Sequence, residues 1–571
     1  MELEVANLGL GKCLQTFSAT TGPVPIHKKF RMFPHTMAVI LATLVALAGP
    51  ACRAQSATAP QPSGVVETTA GPIQGNVVNG RGEFLGIPYA APPVGILRWR
   101  PPQPTEPWTN PLMTTAFGKT CPQGYGKLDP RHDESCLFLN VFTPDAKADS
   151  SAKRPVMVWF HGGGLINGES NDYDGRKLAG TGVIVVTINY RIGVLGYFAH
   201  PNIDNEGHDF ADYGLMDQQF ALKWVKTNIA AFGGDPHNVT LFGESAGGGS
   251  VLANLTSPAS AGLFQHAISQ SGDYVAIRSS YLTSYLAQAQ TIGEYFSSAA
   301  GCASQAPECL RALPVQKILD LQSSHLAGFI IDGNLLPLSF KVAFSSGKFN
   351  RVPLINGTTM DEWRYMVAIL EFTTRKRIEP DQYPAAVAAF YTSSAIPHQI
   401  LAGNVVDKVL AEYPLSKYGS PSEALGAAET DSFMACPTRQ VSRWVSKYAP
   451  VYEYEFAYEK APMYLPPASF PYGAVHTVEL QFLFPLFHWG PQTASHPLNA
   501  DEEKLSDSMV GYWSNFAKSG NPNGPVSEAV SWPAYRSNSE KILSFDLPNS
   551  PVDTSFAVRH HCEFWDRVST Y

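Results

Sequence analysis

Residues 238–249 read NVTLFGESAGGG, an apolar run that breaks into Gly243-Glu244-Ser245-Ala246-Gly247 and two further glycines. Asn238 to Phe242 has the continuous apolar character of a strand covered on both faces. The residues after it have the composition of a sharp turn into a helix. Such a turn holds Ser245 at its apex with strained backbone angles, while Gly243 and Gly247 let neighbouring elements pack closely. Alone, the same letters also describe a glycine-rich helix cap, so the surroundings must decide.

Working outward, Pro155 to Phe160 (PVMVWF) and Gly182 to Asn189 (GVIVVTIN) read as two more covered strands. Between the second of these and Asn238 lies Tyr213 to Phe232, with Leu215, Phe220, Leu222, Trp224, Val225 and Ile229 at helix-like spacing. Strand, helix, strand predicts a parallel sheet with right-handed crossovers. No internal repeat, long linker or compositional break divides the chain after residue 55. The expected fold class is therefore α/β, a mostly parallel central sheet with helices on both faces, in one large domain over residues 55–571.

Composition excludes several other classes. The 571 residues are 44% hydrophobic and 16% charged, too apolar for disorder, and 47 Gly with 45 Pro is ordinary loop supply. The formal net charge is -8 and no stripe of Lys and Arg occurs, which argues against a nucleic-acid surface.

Residues 1–54 read as an amino-terminal leader. Met37 to Ala48 (MAVILATLVALA) is an uncharged run too short for a membrane-spanning helix, which needs about twenty apolar residues. Lys28, Lys29 and Arg31 precede it, and small residues around Ala51 and Ala54 follow. That is the order of a secretory signal. The thirty-six residues before the run are long for such a signal, which makes Met32 or Met37 candidate starts. Cleavage after Ala54 removes five basic and two acidic residues and takes the charge from -8 to -11. A secreted or periplasmic protein without a membrane span is expected.

Of the eight cysteines, Cys13 and Cys52 lie in the leader. The remaining six in an exported chain suggest disulfides, with fifteen possible connectivities. Proximity favours Cys121 with Cys136 and Cys302 with Cys309, leaving Cys436 with Cys562. No CxxC spacing or neighbouring His cluster supports structural zinc.

A serine nucleophile needs donors for the oxyanion that its attack creates. Phe160-His161-Gly162-Gly163-Gly164 follows the first strand directly, and its glycines let backbone N–H groups face a cavity unobstructed. Gly163 and Gly164, with the N–H of Ala246, are the candidate oxyanion hole. His161 reads as an anchor of that loop. The triad order on such a scaffold is Ser, acid, His. His476 is the best base candidate, since it lies in a loop just before an apolar stretch and Gly473 permits a tight approach. Asp361-Glu362 follows the strand-like Val352 to Asn356 and a Gly-Thr turn, where a strand-end acid belongs. A satisfied loop histidine and a solvated acidic pair are the alternatives.

With these motifs in place, the chain resembles the type-B carboxylesterases, the group containing cholinesterases, microbial lipases and bacterial para-nitrobenzyl-type esterases. The resemblance runs from about Val66 to Trp565. It includes Phe84-Leu85-Gly86-Ile87-Pro88-Tyr89-Ala90, Cys136-Leu137-Phe138-Leu139-Asn140-Val141, Asn189-Tyr190-Arg191, Gly214-Leu215-Met216-Asp217-Gln218, and Phe232-Gly233-Gly234-Asp235-Pro236 through Gly248. It implies the α/β-hydrolase fold, with Ser245 as nucleophile, Glu362 as acid and His476 as base. It further implies a small-molecule ester substrate and no metal or organic cofactor. The three cysteine pairings correspond to bridges of cholinesterase-like members. Arg98 with Glu134 and Arg191 with Asp217 look like the family's structural salt bridges, and Glu244 looks placed to tune the site electrostatically. Ser135, Leu165 and Trp363 depart from the family pattern. Between Cys121 and Cys136 the chain lacks the Trp with which cholinesterases hold a quaternary ammonium, so choline esters are expected to be poor substrates. Tyr464 to Tyr472 is expected to line the gorge. The triple-glycine loop is of the kind that accepts esters of tertiary alcohols. An interfacial lipase and a non-catalytic adhesion-type member are the alternative readings.

Overall fold

The computed structural model describes residues 60–568, apart from 125–127, 148, 278–281, 323–327, 393–403, 486, 488–495 and 525–529. The expected leader, with its run at 37–48 and Cys13 and Cys52, lies outside the described residues.

One 13-stranded sheet organises the chain. In chain order its strands are β1 (Gln61–Glu67), β2 (Pro72–Val78), β3 (Arg81–Pro88), β4 (Leu112–Met113), β5 (Phe138–Thr143), β6 (Arg154–Phe160) and β7 (Ile184–Ile188). There follow β8 (Gly234–Glu244), β9 (His266–Gln270), β10 (Leu354–Thr359), β11 (Val451–Phe456), β12 (Ile542–Phe545) and β13 (Val552–Asp553). The spatial order is β1-β2-β3-β5-β7-β6-β8-β9-β10-β11-β12-β13, with β4 beside β2. From β7 through β12 every pairing is parallel. The amino-terminal strands up to β7 are joined antiparallel, except that β4 pairs parallel with β2.

Alternate residues of one strand serve opposite faces, because the side-chain period of a strand is two. On β6, Val156, Val158 and Phe160 enter one core with Leu222 and Val225 of helix α1 (Tyr213–Asn228) and Val251 and Leu252 of helix α2 (Ala246–Thr256). Met157 and Trp159 enter the other core with Met509, Trp513 and Phe516 of a long carboxy-terminal helix, Ala500–Ser519. Both faces of the strand are therefore dry, which explains its unbroken apolar sequence. This is the α/β-hydrolase architecture expected above.

Two boundaries differ from expectation. The helix predicted over 213–232 is α-helical to Asn228 and tightens to a 3-10 turn over Ile229–Phe232, which ends on Gly233 at φ 87°. The strand predicted from Asn238 begins at Gly234, where Arg154 already pairs across a register irregularity.

Cys121–Cys136, Cys302–Cys309 and Cys436–Cys562 are bonded. Among the described residues no helix is long and apolar enough to cross a membrane. Arg98 pairs with Glu134 at 2.6 Å. Arg191, after β7, meets Asp217 of α1 through Nε and Nη2 at 2.7 Å each, and its backbone N–H also donates to that carboxylate. Both side chains are buried (4% and 0% exposed), so the pair locks helix to sheet where water cannot compensate a lost partner. Asp217→Ala is expected to lower stability by about 3–5 kcal/mol by leaving the guanidinium buried and unpaired. Urea denaturation followed by circular dichroism checks this, and a loss below about 1 kcal/mol, the range of exposed pairs, contradicts it.

Candidate active site

Strand β8 ends at Glu244 and α2 begins at Ala246, leaving Ser245 to make the whole turn at φ 56°, ψ -124°. For a residue with a Cβ this is a strained conformation, found where the surroundings over-determine it. Here the Ser245 N–H donates to Gln270 O of β9 (2.8 Å) and its carbonyl accepts from Gly249 N–H (2.9 Å). The turn also needs close backbone approach. A Cβ on Gly247 would lie 2.0 Å from the Phe160 carbonyl oxygen, so only glycine fits there.

The glycine loop leaves β6 beside this turn. Gly163 at φ 104° accepts N–H bonds from Ile166 (3.0 Å) and Asn167 (2.9 Å), and a Cβ on it would lie 2.2 Å from Asn167 O. Gly164, at φ 62°, faces open space. As the first residue of α2, Ala246 has an N–H without an intrahelical acceptor. Gln123 steadies the loop's far end, its amide donating to Gly168 O (3.1 Å) and accepting from Gly168 N–H (2.8 Å). His161 is buried and stacked on Tyr190, with ring centroids 4.4 Å apart, and burial lowers its pKa to about 4. It is framework.

Glu362 follows the end of β10, and His476 stands in the loop before the short helix Leu480–Leu483. The His476 ring bridges the other two groups, with Nε2 2.9 Å from Ser245 Oγ and Nδ1 2.5 Å from Glu362 Oε2. The other oxygen of Glu362 accepts from Thr358 Oγ1 (2.6 Å) and Thr359 N–H (2.8 Å). Ser245, Glu362 and His476 are thus brought together from three separate segments.

A profile described as the carboxylesterase family matches residues 62–565. The chain belongs to the carboxylesterase family. It is 37% identical over 498 residues to a para-nitrobenzyl esterase of Bacillus subtilis (strain 168), covering 84% of this chain and 94% of that one. To a cocaine esterase of Homo sapiens it is 32% identical over 532 residues, covering 88% and 90%. A solved structure of a PNB esterase superposes with a TM-score of 0.71 at 33% identity, covering 88% of this chain and 99% of that one.

In this carboxylesterase the His476 ring stands among carboxylates. Glu244 Oε1 lies 3.2 Å from His476 Nε2, and neither Glu244 oxygen has a hydrogen-bond partner among the described residues. Burial pushes Glu244 well above the usual carboxylate range, against the pull of His476. Burial also raises Glu479, to about 7, with Glu362 adding to the rise. Glu362 is the exception: burial would raise it, but His476 and its hydrogen bonds hold it below its ordinary value. For His476, burial alone would lower the pKa, and the carboxylates of Glu244 and Glu362 outweigh it and raise the ring to about 9.

Some of this lay beyond the motifs. Glu479, three residues past His476, carries no signal except a charge at the start of an apolar run. Thr477 adopts φ 70°, unusual for a β-branched residue, and its Oγ1 meets the Tyr464 hydroxyl. Tyr464, expected in a gorge wall, thereby braces the loop that carries His476.

A histidine must be neutral to act as base, so with His476 in that role kcat/KM is expected to rise with pH as the ring loses its proton. A ring at about 9 puts that limb above the ordinary histidine value of 6.5. Glu244→Gln removes one of the raising carboxylates and is expected to move the midpoint to lower pH. A pH–rate profile of both proteins checks this, and an unmoved midpoint contradicts it.

Proposed function

We propose that the enzyme hydrolyses small-molecule carboxylic esters through an acyl-enzyme on Ser245, with His476 as general base and acid and Glu362 as its orienting carboxylate. The observation that carries this reading is the unbroken chain from Ser245 Oγ through the His476 ring to Glu362. His476 Nε2 takes the hydroxyl proton as Ser245 Oγ bonds to the ester carbonyl carbon. Glu362, held ionised, stabilises the resulting imidazolium. The tetrahedral oxyanion is held by the N–H groups of Gly163, Gly164 and Ala246, each such donor contributing about 3 kcal/mol to the barrier reduction. The imidazolium gives its proton to the departing alkoxide, leaving an acyl-serine. Water then attacks that acyl carbon with the same proton movements, releasing the acid and restoring Ser245.

Short- to medium-chain and aryl esters are the proposed substrate class, supported by relatives named para-nitrobenzyl esterase and cocaine esterase. Three disulfides support maturation in an oxidising compartment, outside the cytosol.

Hydrolysis of para-nitrophenyl esters from acetate to palmitate, by wild type and Ser245→Ala, tests the reading. The wild type is expected to peak at short chains. The variant should lose on the order of 10⁶-fold in kcat, as when a triad serine is removed. A peak at long chains moves the substrate class to lipids. Equal rates in both proteins sink the mechanism.

A further inference from the structure

Glu362 touches one atom of the His476 ring, which orients the imidazole but does not by itself place the loop that bears it. The residue just before Glu362 does that. The Asp361 N–H donates to Ala474 O (2.8 Å), and the Ala474 N–H donates back to Asp361 Oδ2 (3.0 Å). Both backbone groups of Ala474, two residues before the base, are therefore taken by one residue. The other carboxylate oxygen, Oδ1, is held by Arg364 at 3.0 Å, and Arg364 also donates to Pro471 O (3.3 Å) at the start of the same loop. Further along, His476 N–H donates to Glu362 O (3.3 Å). The grip depends on a glycine: Gly473 sits at φ 67°, and a Cβ there would lie 2.1 Å from Asp361 Oδ2. The Asp361 side chain is 12% exposed, so water competes little for these bonds.

We propose that Asp361 is a positioning residue for His476: clamped to Ala474 and oriented by Arg364, it sets the distance between the imidazole and Ser245. The acid and the base then belong to one rigid unit. Asp361 and Glu362, adjacent on the turn after β10, hold residues 474 and 476 of the facing loop. A carboxylate is suited to this work because it accepts the Ala474 N–H with one oxygen and the guanidinium with the other. Asp361 itself touches no reacting atom.

This inference rests on the Ser245–His476–Glu362 reading, and the test separates the two. Steady-state hydrolysis of para-nitrophenyl acetate is measured for wild type, Asp361→Ala, Asp361→Asn, Arg364→Gln and Ser245→Ala, each with its thermal midpoint. Asp361→Ala is expected to lose roughly 100-fold in kcat, the scale of a 1 Å misplacement, with KM nearly unchanged. Asp361→Asn keeps an acceptor for the Ala474 N–H and should recover most of that loss. Arg364→Gln, at a partly exposed position, should show a smaller fall in kcat and not in KM. Wild-type kcat in Asp361→Ala beside an inactive Ser245→Ala overturns the positioning role alone. An unaltered kcat in Arg364→Gln overturns it should Asp361→Ala fail to fold, as does a rise in KM without a fall in kcat. Full activity in Ser245→Ala overturns the triad reading on which it rests.

Discussion

Ser245 occupies a backbone conformation that costs a non-glycine residue about 1–3 kcal/mol, and the rest of the site is arranged around keeping it there. Its amide is tied to β9 and its carbonyl to α2, so the turn cannot relax toward either. The close approach of Gly247 to the Phe160 carbonyl then sets where β6 ends relative to the elbow, and the glycine loop continues from that point. One strained residue thus couples two strands, a helix and the glycine loop after β6. The two dry cores, with Trp159 on one side and Val158 on the other, supply the burial that holds these elements in place.

Electrostatics divides the carboxylates around His476 by how well each is hydrogen-bonded. All are buried, and burial raises each of them. Glu362 receives a threonine hydroxyl, a backbone N–H and the imidazole, enough to favour its charged form. Glu244 lacks such partners among the described residues, so for it desolvation wins. Identical side chains a few ångströms apart are thereby shifted in opposite directions, and the one whose charged form is favoured is the one bonded to His476 Nδ1.

What could be read from the linear chain follows from how local each signal is. β6, β7 and β8 were legible because strands covered on both faces have no polar alternation, and the elbow because its glycines are adjacent in sequence. Glu362 and His476 were legible only as candidates. His476 is one of 15 histidines, and nothing near it in sequence names Ser245, 231 positions away, as its partner. The bracing contacts were not legible at all. Asp361 reaches Ala474 across 113 positions, and Glu479 meets Gln270 across 209. A polar residue whose partner is supplied by folding looks, in the chain, like any solvated side chain.

The departures from the family pattern belong on the same scale. Trp363, standing where a glycine is usual, packs its ring on Phe433 with centroids 4.2 Å apart, and its backbone N–H donates to Thr430 Oγ1. These contacts anchor the residue directly after Glu362. Leu165, in place of an aromatic residue, is fully buried at φ 57° and gives its carbonyl to Gly193 N–H. Ser135, in place of an acid, donates its N–H to Asp133, so a neighbouring carboxylate is still engaged there. Each change is absorbed by the framework around the reacting groups. A chain can therefore differ at positions adjacent to its catalytic motifs and keep their geometry, because that geometry is held by long-range backbone contacts and not by the motif's immediate neighbours.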